Sequence, residues 1–303
     1  MTAANTLRVA CLQLSPGEDL AANIQAATAM MAEAARRGAQ LILLPEFAAL
    51  LHASGRFMRE HSPAEDGHPA LAAFCKLARD TGASVLAGSL TVSTGPQRIA
   101  NRSYFIDGQG RIAARYDKLH MFDATLPSGR VLKESSTYDA GNEAIAVATP
   151  WGWLGMTICY DLRFPHLYRA LAQAGCRMIA VPSAFTRATG ERHWHTLLRA
   201  RAIENACYIL APATCGIHPG QHETYGHTLI VSPDGAIMQE GGTEPGIFIA
   251  DLDLGAADAA RQAIPSLTHD RPIAVRAVAP GAAARPQYTH HDPTTTLPPS
   301  RAG

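Results

Sequence analysis

Three segments of this 303-residue sequence that are predicted to be strands each lead into a side chain suited to covalent chemistry. The run "LILLPEF" ends next to Glu46, "RIAARYDKLH" contains Lys118, and "WLGMTICYD" contains Cys159. In α/β proteins, functional groups gather where strands end and loops begin. A thiolate nucleophile, a carboxylate that takes its proton and an ammonium that stabilises negative charge make an acyl-transfer site. We therefore predict that these three side chains meet, with the backbone N–H of Tyr160 as a second oxyanion donor.

Each of these residues also has an ordinary explanation when it is considered alone. A cysteine within an apolar run most often packs as a small hydrophobic residue. A glutamate after proline is often a turn or cap residue, and a single lysine is usually solvated. The catalytic interpretation therefore rests on the three residues occurring together at similar topological positions.

The elements that must position these residues alternate between strands and helices. Apolar or alternating runs predict strands at 7–14, 39–47, 83–90, 102–106, 111–117, 144–148, 153–158, 176–185, 207–213, 227–232 and 246–251. Helices are predicted at 19–37, 68–80, 165–175 and 192–206. We predict a hairpin around "DGQG" and another turn at "PDG", between 227–232 and 246–251. Alternating strands and helices with hairpins indicate an α/β protein whose sheets are mixed.

The composition of the chain excludes some classes of binding partner and indicates a cellular compartment. Acidic and basic residues balance at 26 each, which argues against nucleic acid or an anionic membrane as partner. The sequence shows neither a signal peptide nor an apolar run of roughly 20 residues, so we expect a cytoplasmic protein whose six cysteines are reduced. We predict one domain over residues 1–272. Residues 273–303 are predicted to be a tail that is mobile or packed on a partner subunit.

Taken together, the motifs resemble those of the nitrilase superfamily of carbon–nitrogen hydrolases. The matching segments include "LLPEF", "YDKLHMFD" and "ICYDLRFPHLYRALAQAG", and the resemblance extends from about residue 7 to residue 272. It implies a four-layer α–β–β–α sandwich with two mixed β-sheets, at least a homodimer, and a Glu46–Lys118–Cys159 triad that forms a thioester. It also implies a second glutamate, Glu134 in "LKESSTYDAG", that holds the lysine; the alternative is a glutamate on a surface loop.

The residues that follow the cysteine indicate the class of substrate. "CYDLRFP" resembles the branch of ω-amidases and amidases of deaminated glutathione, whose substrates carry a carboxylate. Arg163 is the natural partner for that carboxylate, because its planar guanidinium binds carboxylates through two hydrogen bonds. A structural ion pair of Arg163 with Asp161 or Glu46 is the alternative. Thr186 is a weaker candidate for the same end of the substrate.

Three further residues bear on the pocket. The backbone around Ser183 and Ala184 is predicted to line the acyl pocket. Many relatives read "HWE" where this sequence has a histidine at the third position, His195. If that side chain faces the pocket, it exchanges a negative charge for a neutral or switchable group and leaves the exact substrate open. The alternative is that the histidine is a feature of one subgroup whose chemistry is unchanged.

We expect neither a cofactor nor a metal. His218, His222 and His227 lie close in sequence, but they match no established ligand spacing, so that hydrogen bonding within a loop is the favoured explanation. The predicted function is hydrolysis of a small carboxylate-bearing amide with release of ammonia. Two alternatives stay open: a nitrilase or N-carbamoyl amino acid hydrolase with the same triad, and a catalytically silent binding protein.

Overall fold

The computed structural model describes residues 6–125, 129 and 131–277. The chain divides into two units, Met1–Leu267 and Thr268–Gly303, and every element below belongs to the first. Of the predicted tail, residues 278–303 lie outside the described residues. Across the described part of the chain, no helix is both long and apolar enough to cross a membrane.

The described residues of the first unit form six α-helices and eighteen strands. The helices are α1 (Leu20–Arg36), α2 (Gly55–His61), α3 (Pro69–Thr81), α4 (Pro165–Gln173), α5 (Arg187–Asn205) and α6 (Ala256–Ala263). The strands are β1 (Thr6–Gln13), β2 (Leu41–Leu43), β3 (Ser84–Leu86), β4 (Leu90–Gly95), β5 (Arg98–Ile106), β6 (Ile112–Asp117), β7 (Asp123–Thr125), β8 (Val131–Lys133), β9 (Tyr138–Asp139), β10 (Ile145–Thr149), β11 (Gly152–Met156), β12 (Met178–Ala180), β13 (Tyr208–Ala211), β14 (Cys215–His218), β15 (His222–Tyr225), β16 (Leu229–Val231), β17 (Ile237–Glu240) and β18 (Gly246–Asp253).

Two large mixed sheets contain most of these strands. The first has the order β18-β1-β2-β3-β5-β4, with β6 and β9 also paired to β5. The second has the order β10-β11-β12-β13-β16-β17. In each sheet three central strands are parallel, and antiparallel strands flank them. The prediction of mixed sheets is therefore confirmed.

The alternation of side chains along the strands creates the layers. In β1, Val9 and Cys11 point into a core shared with β11 and β12 of the second sheet. Their neighbours Ala10 and Leu12 point the other way, into a core with the buried faces of α1 and α3. The helices α4 and α5 pack on the other face of the second sheet. Their buried residues belong to the same continuous apolar cluster. The four-layer α–β–β–α sandwich is confirmed, because apolar residues on alternate faces of each strand need cover on both sides.

The sequence-based prediction of the strand that follows the "PDG" turn was wrong. It joins β16 to β17, which runs over Ile237–Glu240 and was not predicted. The segment predicted as its partner is β18, which leaves the second sheet and pairs antiparallel with β1 over its full length. The mistake was to treat strands neighbouring in sequence as neighbours in the sheet, although β18 completes the opposite sheet.

Gly88 fixes the loop after β2, which carries Glu46. Gly88 has a φ of 65°, and a Cβ at this position would lie 2.1 Å from the carbonyl oxygen of Pro45. Ser89 then holds the loop, because its hydroxyl accepts the N–H of Phe47 at 3.0 Å and its carbonyl oxygen accepts the N–H of Ala48 at 3.0 Å. The close approach of these two backbone segments therefore requires glycine.

We expect Gly88→Ala to destabilise the fold much more than Gly67→Ala. Gly67 also has a positive φ, 78°, but nothing lies within 4 Å of a Cβ placed there. Gly67→Ala should therefore lose only about 1–2 kcal/mol from backbone strain, whereas Gly88→Ala adds a clash and should lose about 3 kcal/mol or more. Urea unfolding of both variants measures the difference, and equal losses would contradict this account of the loop.

Candidate active site

Cys159 begins a tight turn, separated from the end of β11 by two residues. It is the first residue of a 3-10 turn, Cys159–Arg163, and its φ is 48°. A non-glycine residue in the left-handed region costs about 1–2 kcal/mol and is held there only by its surroundings. Its N–H donates to the carbonyl oxygen of Pro182 at 2.9 Å. The turn directs the thiol into a cavity, and in the described residues no acceptor takes the N–H of Tyr160.

Asp161 holds this turn in its strained shape. The buried carboxylate accepts the N–H of Ile158 at 2.9 Å and the hydroxyl of Tyr116 at 2.6 Å. Its other oxygen accepts the backbone N–H of His120 at 3.1 Å and contacts the Nδ1 of the same residue at 2.7 Å. Hydrogen bonds to a buried carboxylate are stronger than those between neutral groups. Asp161 therefore positions the cysteine through the turn and is not available to pair with Arg163.

Glu46 approaches the cysteine from the opposite sheet. Its carboxylate is almost fully buried, and one oxygen accepts the backbone N–H of Ala184 at 2.8 Å. The other oxygen accepts the side-chain amide of Asn101 at 2.9 Å and the ammonium of Lys118 at 3.0 Å. The Cys159 thiol borders the same cavity as this carboxylate, and the carboxylate raises the pKa of the thiol. Glu46 is thus fixed within reach of the proton that it would remove.

Lys118 lies between two glutamates. Its ammonium is 2 % exposed and donates to both carboxylate oxygens of Glu134 at 2.9 Å, in addition to Glu46. Glu134 also accepts the backbone N–H of Phe122 at 2.5 Å. The side chain of Glu134 is only 10 % exposed, which excludes the alternative of a glutamate on a surface loop. Its contact with Lys118 is the one that the resemblance implied.

The buried charges determine which group is ionised at rest. Burial opposes the charge on Lys118, but the carboxylates of Glu134 and Glu46 raise its pKa well above the ordinary value. Burial and the negative charge of Glu46 raise the pKa of the Cys159 thiol well above the ordinary value. The resting site therefore holds an ammonium and a neutral thiol, and the thiolate forms only as its proton is taken.

Cys159 lies where two adjoining cavities meet. The larger has a volume of about 170 Å³, and its lining includes Glu46, Lys118, Glu134 and Lys133. The smaller includes the side chain of Arg163 in its lining. Both cavities share four lining residues, which are Phe122, Cys159, Ala184 and Thr186. A substrate attacked at Cys159 can therefore extend in two directions.

Arg163 makes no ion pair with a carboxylate of the described residues. Its guanidinium lies 5.3 Å from the ring centre of Phe185 and 3.3 Å from the Nδ1 of His193. Burial and the charge of Arg163 lower the pKa of His193, so that this contact is one between a cation and a neutral ring. The predicted alternative, an ion pair with Asp161 or Glu46, is wrong, because other donors occupy those carboxylates.

Two other residues are placed differently from the expectation. Ser183 is buried, its hydroxyl donates to the carbonyl oxygen of Val181 at 3.0 Å, and it is not part of the lining of either cavity. His195 does not face the cavities either; its Nε2 lies 2.8 Å from Glu240. The prediction that His195 faces the substrate is therefore wrong. In α5, residue 195 lies on a different side of the helix from Thr186, the N-cap residue, which does line the site.

The sequence reasoning missed Asn101 and Asp161 as parts of the site. Asn101 donates to Glu46 and, at 3.4 Å, to Glu134, which ties the two carboxylates together. Asn101 gave no clear signal, because β5 also contains Arg98, Arg102 and Ser103, so that one more polar residue does not stand out. Asp161 gave no signal either, because an acidic residue after a strand is common in turns.

A comparison with known families decides the affiliation. Residues 8–262 match the model of the family described as carbon-nitrogen hydrolase. The chain belongs to this family. The carbon–nitrogen hydrolase resemblance that the motifs indicated and the enzyme class that it implied are thereby confirmed.

Individual relatives of this carbon–nitrogen hydrolase agree in sequence and in structure. A deaminated glutathione amidase from Yersinia enterocolitica is 39 % identical over 267 residues, which are 87 % of this chain and 92 % of the relative. The structure of Nit3 from Saccharomyces cerevisiae, described as a member of branch 10 of the nitrilase superfamily, has a TM-score of 0.78 at 28 % identity. That match covers 86 % of this chain and 94 % of Nit3.

A third relative bears on the cysteine. An amidase from Nesterenkonia sp. AN1 has a TM-score of 0.73 at 26 % identity, covering 86 % of this chain and 98 % of that one. The structure is of a glutamate-to-glutamine variant and shows the result of Michael addition of acrylamide at the active-site cysteine. In that amidase, the cysteine thus reacts covalently with an amide-bearing compound.

The raised pKa of the thiol predicts how Cys159 reacts with a small neutral thiol reagent such as methyl methanethiosulfonate. Below the raised pKa the thiol holds its proton, so modification at pH 7 should be slower than for a free cysteine, whose pKa is about 8.5. The rate should still rise with pH above the region where free cysteine levels off. Mass spectrometry of the Cys159 peptide measures it.

Glu46→Gln provides the matched comparison, because it keeps the shape of the side chain and removes the charge that disfavours the thiolate. We expect the reaction of Cys159 to become faster and its pH profile to move to lower pH. A rate that already levels off below neutral pH in the unaltered protein would show a resting thiolate and contradict the description above.

Proposed function

We propose that this carbon–nitrogen hydrolase cleaves the amide bond of a small carboxylate-bearing substrate through a thioester on Cys159. The observation that carries the proposal is the meeting of Glu46, Lys118 and Cys159 at one cavity, with the ammonium held by two buried carboxylates. A nucleophile, a base and an oxyanion stabiliser within reach of one point are the requirements for acyl transfer.

In the first half-reaction, Glu46 takes the proton of Cys159 as the sulfur attacks the carbonyl carbon of the amide. The negative charge that develops on the carbonyl oxygen is stabilised by the ammonium of Lys118 and the N–H of Tyr160. The carboxylic acid of Glu46 then gives its proton to the amide nitrogen. The C–N bond breaks, an amine or ammonia leaves, and the acyl group remains on sulfur.

In the second half-reaction, Glu46 takes a proton from water as the water oxygen attacks the thioester. The tetrahedral intermediate is stabilised by the same donors, the C–S bond breaks, and Glu46 returns the proton to the sulfur of Cys159. One carboxylate thus acts alternately as base and acid. Lys118 keeps its proton throughout, because Glu134 stabilises its charge at every stage.

Cations on the two sides of the cysteine support a substrate with carboxylates. Arg163 borders the smaller cavity and Lys133 the larger. Deaminated glutathione, the substrate in the name of the Yersinia enterocolitica relative, carries a carboxylate on each side of the amide that would be cleaved. With this substrate the leaving group is a dipeptide amine. With an ω-amide that has a free –NH₂ group it is ammonia, as the sequence predicted.

We also propose that the protein is cytoplasmic and forms a homodimer. All six cysteines are free, as expected in a reducing compartment. Trp153 and Ile203 are large hydrophobic residues that are about half exposed, and a contact with a second copy would remove their apolar surface from water. Sedimentation velocity measures the oligomeric state, and a monomer at micromolar concentration would contradict the dimer.

The test of the reaction is a substrate panel with the unaltered protein and with Cys159→Ala. We expect hydrolysis of deaminated glutathione or of an ω-amide of a keto acid, and a loss of at least about 10³-fold in kcat for the variant. Mass spectrometry after acid quenching should show the acyl group on Cys159. Turnover of only a nitrile or an N-carbamoyl amino acid would select the alternative chemistry, and the absence of any adduct would favour a binding protein.

The carboxylate contact has its own test. Arg163→Met should raise the KM for a carboxylate-bearing amide about tenfold or more, because a hydrogen bond to a charged group contributes about 1.5–3 kcal/mol. The KM for a neutral amide of the same length should change little. Arg192→Met, on an exposed position of α5, is the matched control. Equal effects of Arg163→Met on both substrates would show that Arg163 has a structural role.

A further inference from the structure

A second cluster of chemically active side chains lies outside the catalytic cavities. His195 of α5, His227 before β16 and Glu240 at the end of β17 place their nitrogen and carboxylate oxygen atoms within 4.8 Å of one another. We propose that these three residues bind a divalent transition-metal ion of the Zn²⁺ type. None of the three lines either cavity at Cys159.

The geometry is already close to that of a metal site. The Nε2 of His195 is 2.8 Å and the Nδ1 of His227 is 3.4 Å from the same oxygen of Glu240. Ligands about 2.0–2.2 Å from a tetrahedral zinc ion lie roughly 3.4 Å apart. Small rotations of the three side chains therefore suffice to surround an ion, which would replace the proton shared between histidine and glutamate.

His227 is held in place before any ion binds. Its φ is 54°, its N–H donates to the carbonyl oxygen of Gly242 at 2.9 Å, and its carbonyl oxygen accepts the indole N–H of Trp194 at 2.6 Å. The ring stacks on Tyr225 with 4.2 Å between the ring centres. A ligand fixed in this way loses little freedom on binding, and the strained backbone indicates a position that the fold determines.

The donor set favours a borderline metal over calcium or magnesium. Two imidazole nitrogens and one carboxylate are ligands that zinc, nickel and copper prefer, whereas calcium and magnesium prefer oxygen alone. The two histidines are partly exposed and Glu240 is exposed, so that water can complete the coordination. Three protein ligands with a water is a common arrangement for zinc.

The effect of such an ion would be on α5 and the strands beside it. The ion would join α5 to β17 and to the segment before β16, which are otherwise separate along the chain. Because the ion binds the folded arrangement of three distant residues, it should stabilise the fold in proportion to its concentration. Trp194, next to His195, also packs on Phe185, and Phe185 lies beneath Arg163.

The test is calorimetric titration of the full-length protein with ZnCl₂, combined with thermal unfolding. We expect one site whose occupation raises the Tm. His195→Ala keeps helix propensity, His227→Asn tolerates the left-handed backbone, and Glu240→Gln keeps the shape of the side chain. Each should weaken zinc binding about tenfold or more, and the rise in Tm with zinc should disappear.

Two controls test whether zinc binds elsewhere, either at the adjacent histidines of residues 290–291, which lie outside the described residues, or at the catalytic thiol. The double substitution His290→Ala with His291→Ala and the single substitution Cys159→Ala should leave the affinity of the proposed site unchanged. Thermal unfolding without zinc confirms that each variant is folded before it is titrated. The proposal is overturned if the unaltered protein does not bind submillimolar zinc, or if His195→Ala and His227→Asn bind zinc as tightly as the unaltered protein does. Neither result bears on amide hydrolysis at Cys159.

Discussion

The ammonium of Lys118, enclosed by Glu46 and Glu134, is the interaction on which the rest of the site depends. An unpaired charge in this position would be very unfavourable, since burial removes its hydration. Two carboxylates and the amide of Asn101 make the buried cluster stable, and they also fix Glu46 beside the thiol. The same contacts thus satisfy the electrostatics of the fold and determine the geometry of the reaction.

A third buried carboxylate, Asp161, has a corresponding role on the other side of the thiol. It uses both oxygens to hold the turn in which Cys159 adopts a left-handed backbone. The backbone strain at Cys159 is therefore offset locally, by hydrogen bonds between groups that do not contact a substrate. Reactive geometry is produced here by three buried carboxylates: Glu46 and Glu134 hold the lysine, and Asp161 holds the turn of the nucleophile.

The sequence revealed those features that depend on local pattern. A strand pattern that ends at Glu46, Lys118 or Cys159 is visible within a few residues, and so is the periodicity of α1 or β5. Asn101 and Asp161 depend on partners that are 55 and 45 residues away, respectively, which periodicity does not report. The placement of β18 in the opposite sheet, and the contact of His195 with Glu240, have the same origin in tertiary structure.

The origin of the site in both sheets has a consequence for how the protein loses activity. Glu46 and Lys118 follow strands of the first sheet, and Cys159 follows a strand of the second. Hydrogen bonds from Ala184 to Glu46 and from Tyr116 and His120 to Asp161 join the two groups. A slight slip of one sheet over the other would separate base from nucleophile while helices and strands stayed intact. Enzymatic activity in this architecture is thus a sensitive indicator of inter-sheet alignment, and heat inactivation should precede the loss of secondary structure.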